Sequence, residues 1–117
     1  MKVVINCDFG GFGLSDQAFE MFMDRKQIKW EKVINKYGDA DYFVAGHVDD
    51  QEYYLSHYDL IESRSDPDLI AVIEELGVYA NGKYAELKII EIPDDIKWHI
   101  EDYDGRECIA EDHRRWE

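Results

Sequence analysis

The stretch "DPDLIAVIEELGVYANG", residues 66–82, constrains the fold more than any other part of the chain. Asp66 is placed to cap a helix, Pro67 suits the first helical position because its missing N–H has no partner there, and Asp68 complements the helix dipole. Leu69, Val72, Ile73, Leu76 and Ala80 recur at helical spacing and make one face that must be covered. Gly77 weakens the last turns by about 1 kcal/mol relative to alanine, and Asn81-Gly82 supplies the left-handed stop a helix end wants.

The remaining segments provide surfaces for that face. "KVVINC" is rich in β-branched residues and bounded by glycine, so residues 2–7 read as a buried strand. Ser15 is a good N-cap and Asp16 sits in the first turn of a second helix, whose stripe of Ala18, Phe19, Phe22 and Met23 runs to about residue 27. "YAELKIIEI" predicts a strand over 84–92, ended by "PDD". Beyond it Ile96, Trp98 and Ile100 alternate with Lys97, His99 and Glu101, and Asp104-Gly105 is a hairpin signal, with a returning strand to about residue 112. Residues 30–65 are irregular in pattern and rich in aromatics; "DYFVAGHV" suits a strand, and "EYYLSHYDL" suits another or an irregular segment. Five tyrosines between 37 and 58 exclude a disordered linker there. The expectation is one domain over 1–117 of the α+β class, with helices on a largely antiparallel sheet and a C-terminal β-hairpin.

Charge narrows the function classes. Twenty-seven acidic residues face thirteen basic ones, a net of −14. Such a field opposes direct binding to nucleic acid or an anionic membrane and suits a basic partner. No apolar run approaches the roughly 20 residues of a membrane span, and the residues after Met1 do not read as a signal peptide, which leads to the expectation of a cytosolic protein. Cys7 and Cys108 match no metal-ligand spacing, and one disulfide is allowed only by count.

Two stretches are candidates for ligand or partner binding. In "NCDFGGFGLS", Asn6, Gly10, Gly11, Phe12, Gly13 and Ser15 form a glycine-rich turn between strand and helix, where free N–H groups and the helix dipole attract anions. Its spacing matches neither phosphate-binding glycine motif, and Asp8 and Asp16 flank it, so a structural turn competes with a ligand loop. In "AEDHRRWE", His113, Arg114, Arg115 and Trp116 gather cation and aromatic; with Arg64 and Asn81 they suit a nucleotide-like ligand or a partner, or else pair with neighbouring carboxylates. No catalytic set emerges. The four histidines lack ligand spacing, Ser56 beside His57 is not a dyad by adjacency, and a Cys7–His113 pair competes with an ordinary buried thiol. No metal or other cofactor is expected.

The strings "VVIN", "FGGFGLS", "DPDLIAVIEELG", "ANGKYAELKIIEIPDDIKWHIEDYDG" and "AEDHRRW", in that order, resemble a family of small accessory proteins encoded by tailed bacteriophages and prophages. The resemblance covers the first fifteen residues and the last fifty or so, and leaves residues 30–62 unmatched. Where relatives carry a basic residue before the cysteine, in a string like "NRCFGGFGLS", this chain has Asn6 directly before Cys7 and Asp8 after it. The resemblance implies expression in the cytoplasm of an infected bacterium and no transferable enzymatic activity. Together with the charge it leads to the expectation of a non-enzymatic inhibitor that engages a basic or nucleic-acid-handling host protein through its acidic face. The alternative is a binder that sequesters a nucleotide immune signal on the glycine loop and the Arg/Trp cluster. The tyrosine-rich middle also suits a homodimer interface.

Overall fold

The computed structural model describes residues 1–112. Strand β1 (Lys2–Asn6) is followed by helix α1 (Asp16–Arg25), the hairpin β2 (Trp30–Ile34) and β3 (Ala40–Val44), and a short strand β4 (Tyr54–Leu55). A one-turn helix α2 (His57–Leu60), helix α3 (Pro67–Leu76) and strands β5 (Leu87–Glu91), β6 (Trp98–Tyr103) and β7 (Arg106–Glu111) complete the order. The class is α+β with a C-terminal hairpin, and among the described residues every strand pair is antiparallel. There the strands divide among three small sheets, β1-β5, β2-β3-β4 and β6-β7.

The core lies where α1 and α3 meet β1. Ala18, Phe19, Phe22 and Met23 of α1 interlock with Leu69, Ile70, Val72 and Ile73 of α3, and Val4, Leu14, Tyr42 and Ala80 close the cluster. Burying each large side chain contributes on the order of 1.5–3 kcal/mol, so this cluster is the main source of cohesion. The caps are those expected from sequence: the Ser15 hydroxyl accepts from the Ala18 N–H, and the Asp66 carboxylate accepts from the Asp68 N–H. The C-terminal end of α1 is then tied to the N-terminal end of α3. Lys26 Nζ lies 2.7 Å from Asp66 and 3.0 Å from Asp68, and Arg25 Nε lies 3.2 Å from Asp68. Each charge also suits the dipole of its own helix end. Bonding to Lys26 holds the Asp68 carboxyl below its ordinary range.

Two expectations are corrected. The α-helix stops at Leu76, because Gly77 takes φ +57° and turns the chain into a 3₁₀ turn over Gly77–Ala80. Asn81 is extended, at φ −66°, and its side chain accepts from the Leu87 N–H instead of ending the helix. The last sheet-forming segments are also shorter than predicted, with β5 beginning at Leu87 and not at residue 84.

The middle segment is an ordered meander. Asn35 holds the β2–β3 turn by accepting from the Tyr37 and Asp39 N–H groups, and β4 adds to the other side of β3 through Tyr42↔Leu55 and Phe43↔Tyr54. Tyr42 is the anchor. It is buried, its ring meets Phe19 and Trp30 edge-on, and its hydroxyl donates to Glu20 at 2.6 Å. Burial, aided by the Glu20 carboxylate, pushes the phenol well above its ordinary value of 10.0. Tyr42→Phe is therefore expected to lower stability by about 1.5–3 kcal/mol, the range for a hydrogen bond to a charged group. Tyr42→Ala adds a cavity and should cost about 3–5 kcal/mol; urea denaturation of both variants checks the order.

Candidate functional site

In β1 the odd residues bond to β5, as the Cys7 N–H to Glu86 carbonyl bond shows, so Val4 and Asn6 turn their backbone groups to the opposite edge. No strand covers that edge among the described residues. A side-chain construction does. The Val4 N–H donates to the Arg64 carbonyl at 2.9 Å, and the Arg64 guanidinium points back at the Val4 carbonyl at 3.4 Å. The Asn6 N–H donates to Glu107 Oε1 at 2.8 Å. Arg64 and Glu107 are joined by two parallel bonds of 2.6 and 2.9 Å, the fork geometry that makes such pairs strong.

Glu107 is buried, 8% exposed, and Arg64 is partly buried, its guanidinium 3.6 Å from the centre of the Phe12 ring. Asn6 is fully buried beside them. Its side chain donates to the Asp8 and Gly105 carbonyls and accepts from the Asp8 and Glu86 N–H groups. Asn6, Phe12 and Arg64, three of the expected site residues, thus converge with one another and with Glu107. They converge as a structural hub whose polar atoms are engaged by the chain itself.

The glycine loop is clasped on two sides. Gly82 N–H donates to the Gly13 carbonyl, Leu14 bridges to Asn81, and the Ser15 N–H donates to the Ala80 carbonyl. A Cβ on Gly10 would stand 2.1 Å from the Tyr84 Cβ, which leaves room only for glycine. On the other side the β6–β7 tip, a type I′ turn with Asp104 at φ 51° and Gly105 at φ 89°, presses on the loop; a Cβ on Gly105 would meet the Gly11 nitrogen at 2.5 Å. Close backbone approach explains these glycines. Ser15 is occupied as the α1 cap and donates to the Tyr79 carbonyl at 2.6 Å.

Beside this hub the loop and the hairpin tip enclose an open groove of ≈ 660 Å³. Phe9, Tyr103, Arg106, Glu101 and Asp102 line it, and both cysteines, Cys7 and Cys108, are among its lining residues as free thiols. Sequence reading missed Glu107 and the groove. A signal for Glu107 existed: the alternation that turns Trp98 and Ile100 inward also places Ile109 and Glu107 on that face through the Ile100↔Ile109 and Asp102↔Glu107 pairs. The expected cluster of His113, Arg114, Arg115 and Trp116 lies outside the described residues, as does the Cys7–His113 pair. The described chain ends at Asp112, whose N–H bonds to the Lys97 carbonyl at the end of the hairpin away from the tip.

The remaining histidines serve packing and surface pairing. His57 packs on Phe19 at a tilt of 38° with centroids 4.1 Å apart, and burial holds its pKa below the ordinary 6.5. His99 lies between Asp112 and Glu101, and bonds to these, Asp112 first, raise its pKa above 6.5. Among the described residues no group of three or more His, Cys, Asp or Glu side chains could hold a metal ion, and no helix is long and apolar enough to cross a membrane. No protein-family model matches the sequence, and neither a curated protein nor a solved structure is significantly similar to it.

Two outcomes follow from this geometry. Glu107→Ala leaves the Asn6 N–H and the Arg64 guanidinium without their acceptor, and Arg64→Ala leaves a buried carboxylate uncompensated; each is expected to cost about 3–5 kcal/mol in chemical denaturation. The double variant should cost clearly less than the sum. The histidines titrate in opposite senses. The His57 contribution to stability is present above pH 6.5 and is lost as pH falls through its depressed folded pKa. The His99 contribution is present below pH 6.5 and is lost as pH rises through its elevated one. Two-dimensional NMR of the imidazole resonances should place His57 below and His99 above 6.5.

Proposed function

We propose that this protein is a non-enzymatic binding protein that engages a basic, nucleic-acid-handling protein of a bacterial host through its acidic surface, in the cytoplasm of an infected cell. One observation carries the reading: five of the eleven lysines and arginines among the described residues are paired with carboxylates of the chain itself, while the carboxylate excess stays outside. Lys2 pairs with Glu74, Lys32 with Glu20, Arg25 and Lys26 with Asp66 and Asp68, and Arg64 with Glu107. Meanwhile Asp94, Asp95, Glu101, Asp102, Asp104 and Glu111 are exposed along and beside the C-terminal hairpin, and Asp49, Asp50, Glu52, Asp59 and Glu62 are exposed on the middle segment.

With a net charge of −14, the external field attracts a groove evolved to hold phosphates and repels nucleic acid itself. The resemblance to phage accessory proteins supports the bacterial setting of the partner. The alternative, sequestration of a nucleotide signal, draws no support from Arg64, whose guanidinium is held by Glu107 and Phe12.

The expected outcome is a pull-down from bacterial lysate whose captured protein elutes as salt rises, since a Debye length of about 10 Å at 0.1 M shrinks to about 3 Å at 1 M. Added DNA should compete, and replacing the exposed hairpin carboxylates by their amides should weaken capture step by step. Salt-insensitive capture, or no captured protein, would contradict the reading.

A further inference from the structure

The glycine loop carries two phenylalanines that point to different environments. Phe12 turns inward and its face is filled by a guanidinium of the chain, with Arg64 3.6 Å from the ring centre. Phe9 turns outward, is 56% exposed, and among the described cations is approached by Arg106, at 5.8 Å. That distance is near the roughly 6 Å limit at which a cation still gains from a ring face. Tyr103, 75% exposed, stands in the same groove; Glu101 and Asp102 are also among its lining residues, with Glu101 Oε1 3.2 Å from His99 Nε2 and Asp102 Oδ1 accepting from the Gly105 N–H at 2.7 Å.

A half-exposed phenylalanine and an exposed tyrosine beside acidic side chains form a surface with one natural occupant. A guanidinium stacks its plane on an aromatic ring and offers its N–H fork to a carboxylate, whereas an ammonium can do only the second well. An anionic occupant would meet Glu101, Asp102 and the wider negative field. We propose that the groove between Phe9 and the β6–β7 tip is the contact site for an arginine side chain of a basic partner protein, seated on Phe9 and Tyr103 with the carboxylate of Glu101, on the same face of β6 as Tyr103, receiving its N–H groups. The inference rests on the acidic-surface reading and names the point on that surface where specificity resides.

Arg106 then acts as a weak internal competitor. It already reaches the Phe9 face and contributes the positive charge of the groove lining. Removing it should therefore strengthen binding, an effect opposite to that of removing the aromatic faces.

The experiment uses the full chain, ¹⁵N-labelled, titrated with a blocked glycine-serine heptapeptide carrying two arginines, alongside its lysine and glutamine analogues. The arginine peptide should shift the amides of Cys7, Phe9, Tyr103 and Arg106 first and bind more tightly than the lysine peptide, with the glutamine peptide inert. Phe9→Ala combined with Tyr103→Ala should weaken binding about 10-fold, the scale of about 1.4 kcal/mol of cation–π contact. Phe9→Trp should retain binding, and Arg106→Ala should tighten it. Both aromatic rings are mostly exposed, so these variants should keep the wild-type spectrum elsewhere. Salt-sensitive binding that is unchanged in Phe9→Ala/Tyr103→Ala, or shifts spread over the whole acidic surface, overturns the groove and leaves the acidic-surface reading standing. Absence of binding by both cationic peptides overturns both.

Discussion

The structure depends on how one edge of β1 is closed. A two-stranded sheet is marginal in water, and a bare strand edge invites pairing with other chains. Here β5 covers one side of β1, and the Arg64–Glu107 fork with the Arg64 backbone covers the other. A side-chain pair thus stands where a third strand would. Because Arg64 precedes α3 and Glu107 lies on β7, the same pair locks the helical layer, the first strand and the C-terminal hairpin in one place. A buried ion pair is not an efficient way to gain stability, since desolvation offsets much of the attraction. Its value here is in register: only one placement of the hairpin tip lets Glu107 reach both the Asn6 N–H and Arg64.

That lock has a consequence for the surface. By fixing the tip of β6–β7 against Gly11 and the Phe9 carbonyl, it holds Tyr103 and Arg106 beside Phe9 and creates the groove. The loop therefore does two things at once. Its glycines admit neighbouring backbones at distances no side chain would allow, and its two phenylalanines are sorted, one inward onto Arg64 and one outward to solvent. Arg106 approaches that outward ring, and beyond it the field is that of a chain with a net charge of −14.

The parts legible in the sequence are those written in local chemistry. Ser15 and Asp66 announce the helix starts because an N-cap bond reaches only two or three residues along the chain, and Asp104-Gly105 announces the hairpin because only residues tolerant of positive φ fit a type I′ turn. The middle segment was opaque because its strands are mostly half-exposed and owe their order to remote partners. Tyr42 needs Phe19, Trp30 and Glu20 before it reads as core. The end of α3 was misplaced because Gly77, a weak residue in a continuing helix, is equally a good stop, and Asn81, a good stop, found a better use bonding Leu87. The roles of Asn6, Phe12 and Arg64 share this character. Their types suggested a ligand site; their destination was set by Glu107, a hundred residues beyond Asn6 and visible only as a charge on the inward face of a strand.

Native-state hydrogen exchange of the β1 amides tests the closed edge most directly. Val3 and Ile5 face β5, while Val4 and Asn6 face Arg64 and Glu107. The account predicts that all four exchange with similar, strong protection, and that Glu107→Gln lowers protection at Asn6 more than at Ile5. Rapid exchange of Val4 and Asn6 in the wild-type chain, alongside slow Val3 and Ile5, would mean that the edge is open and that the hairpin is not locked where this account places it.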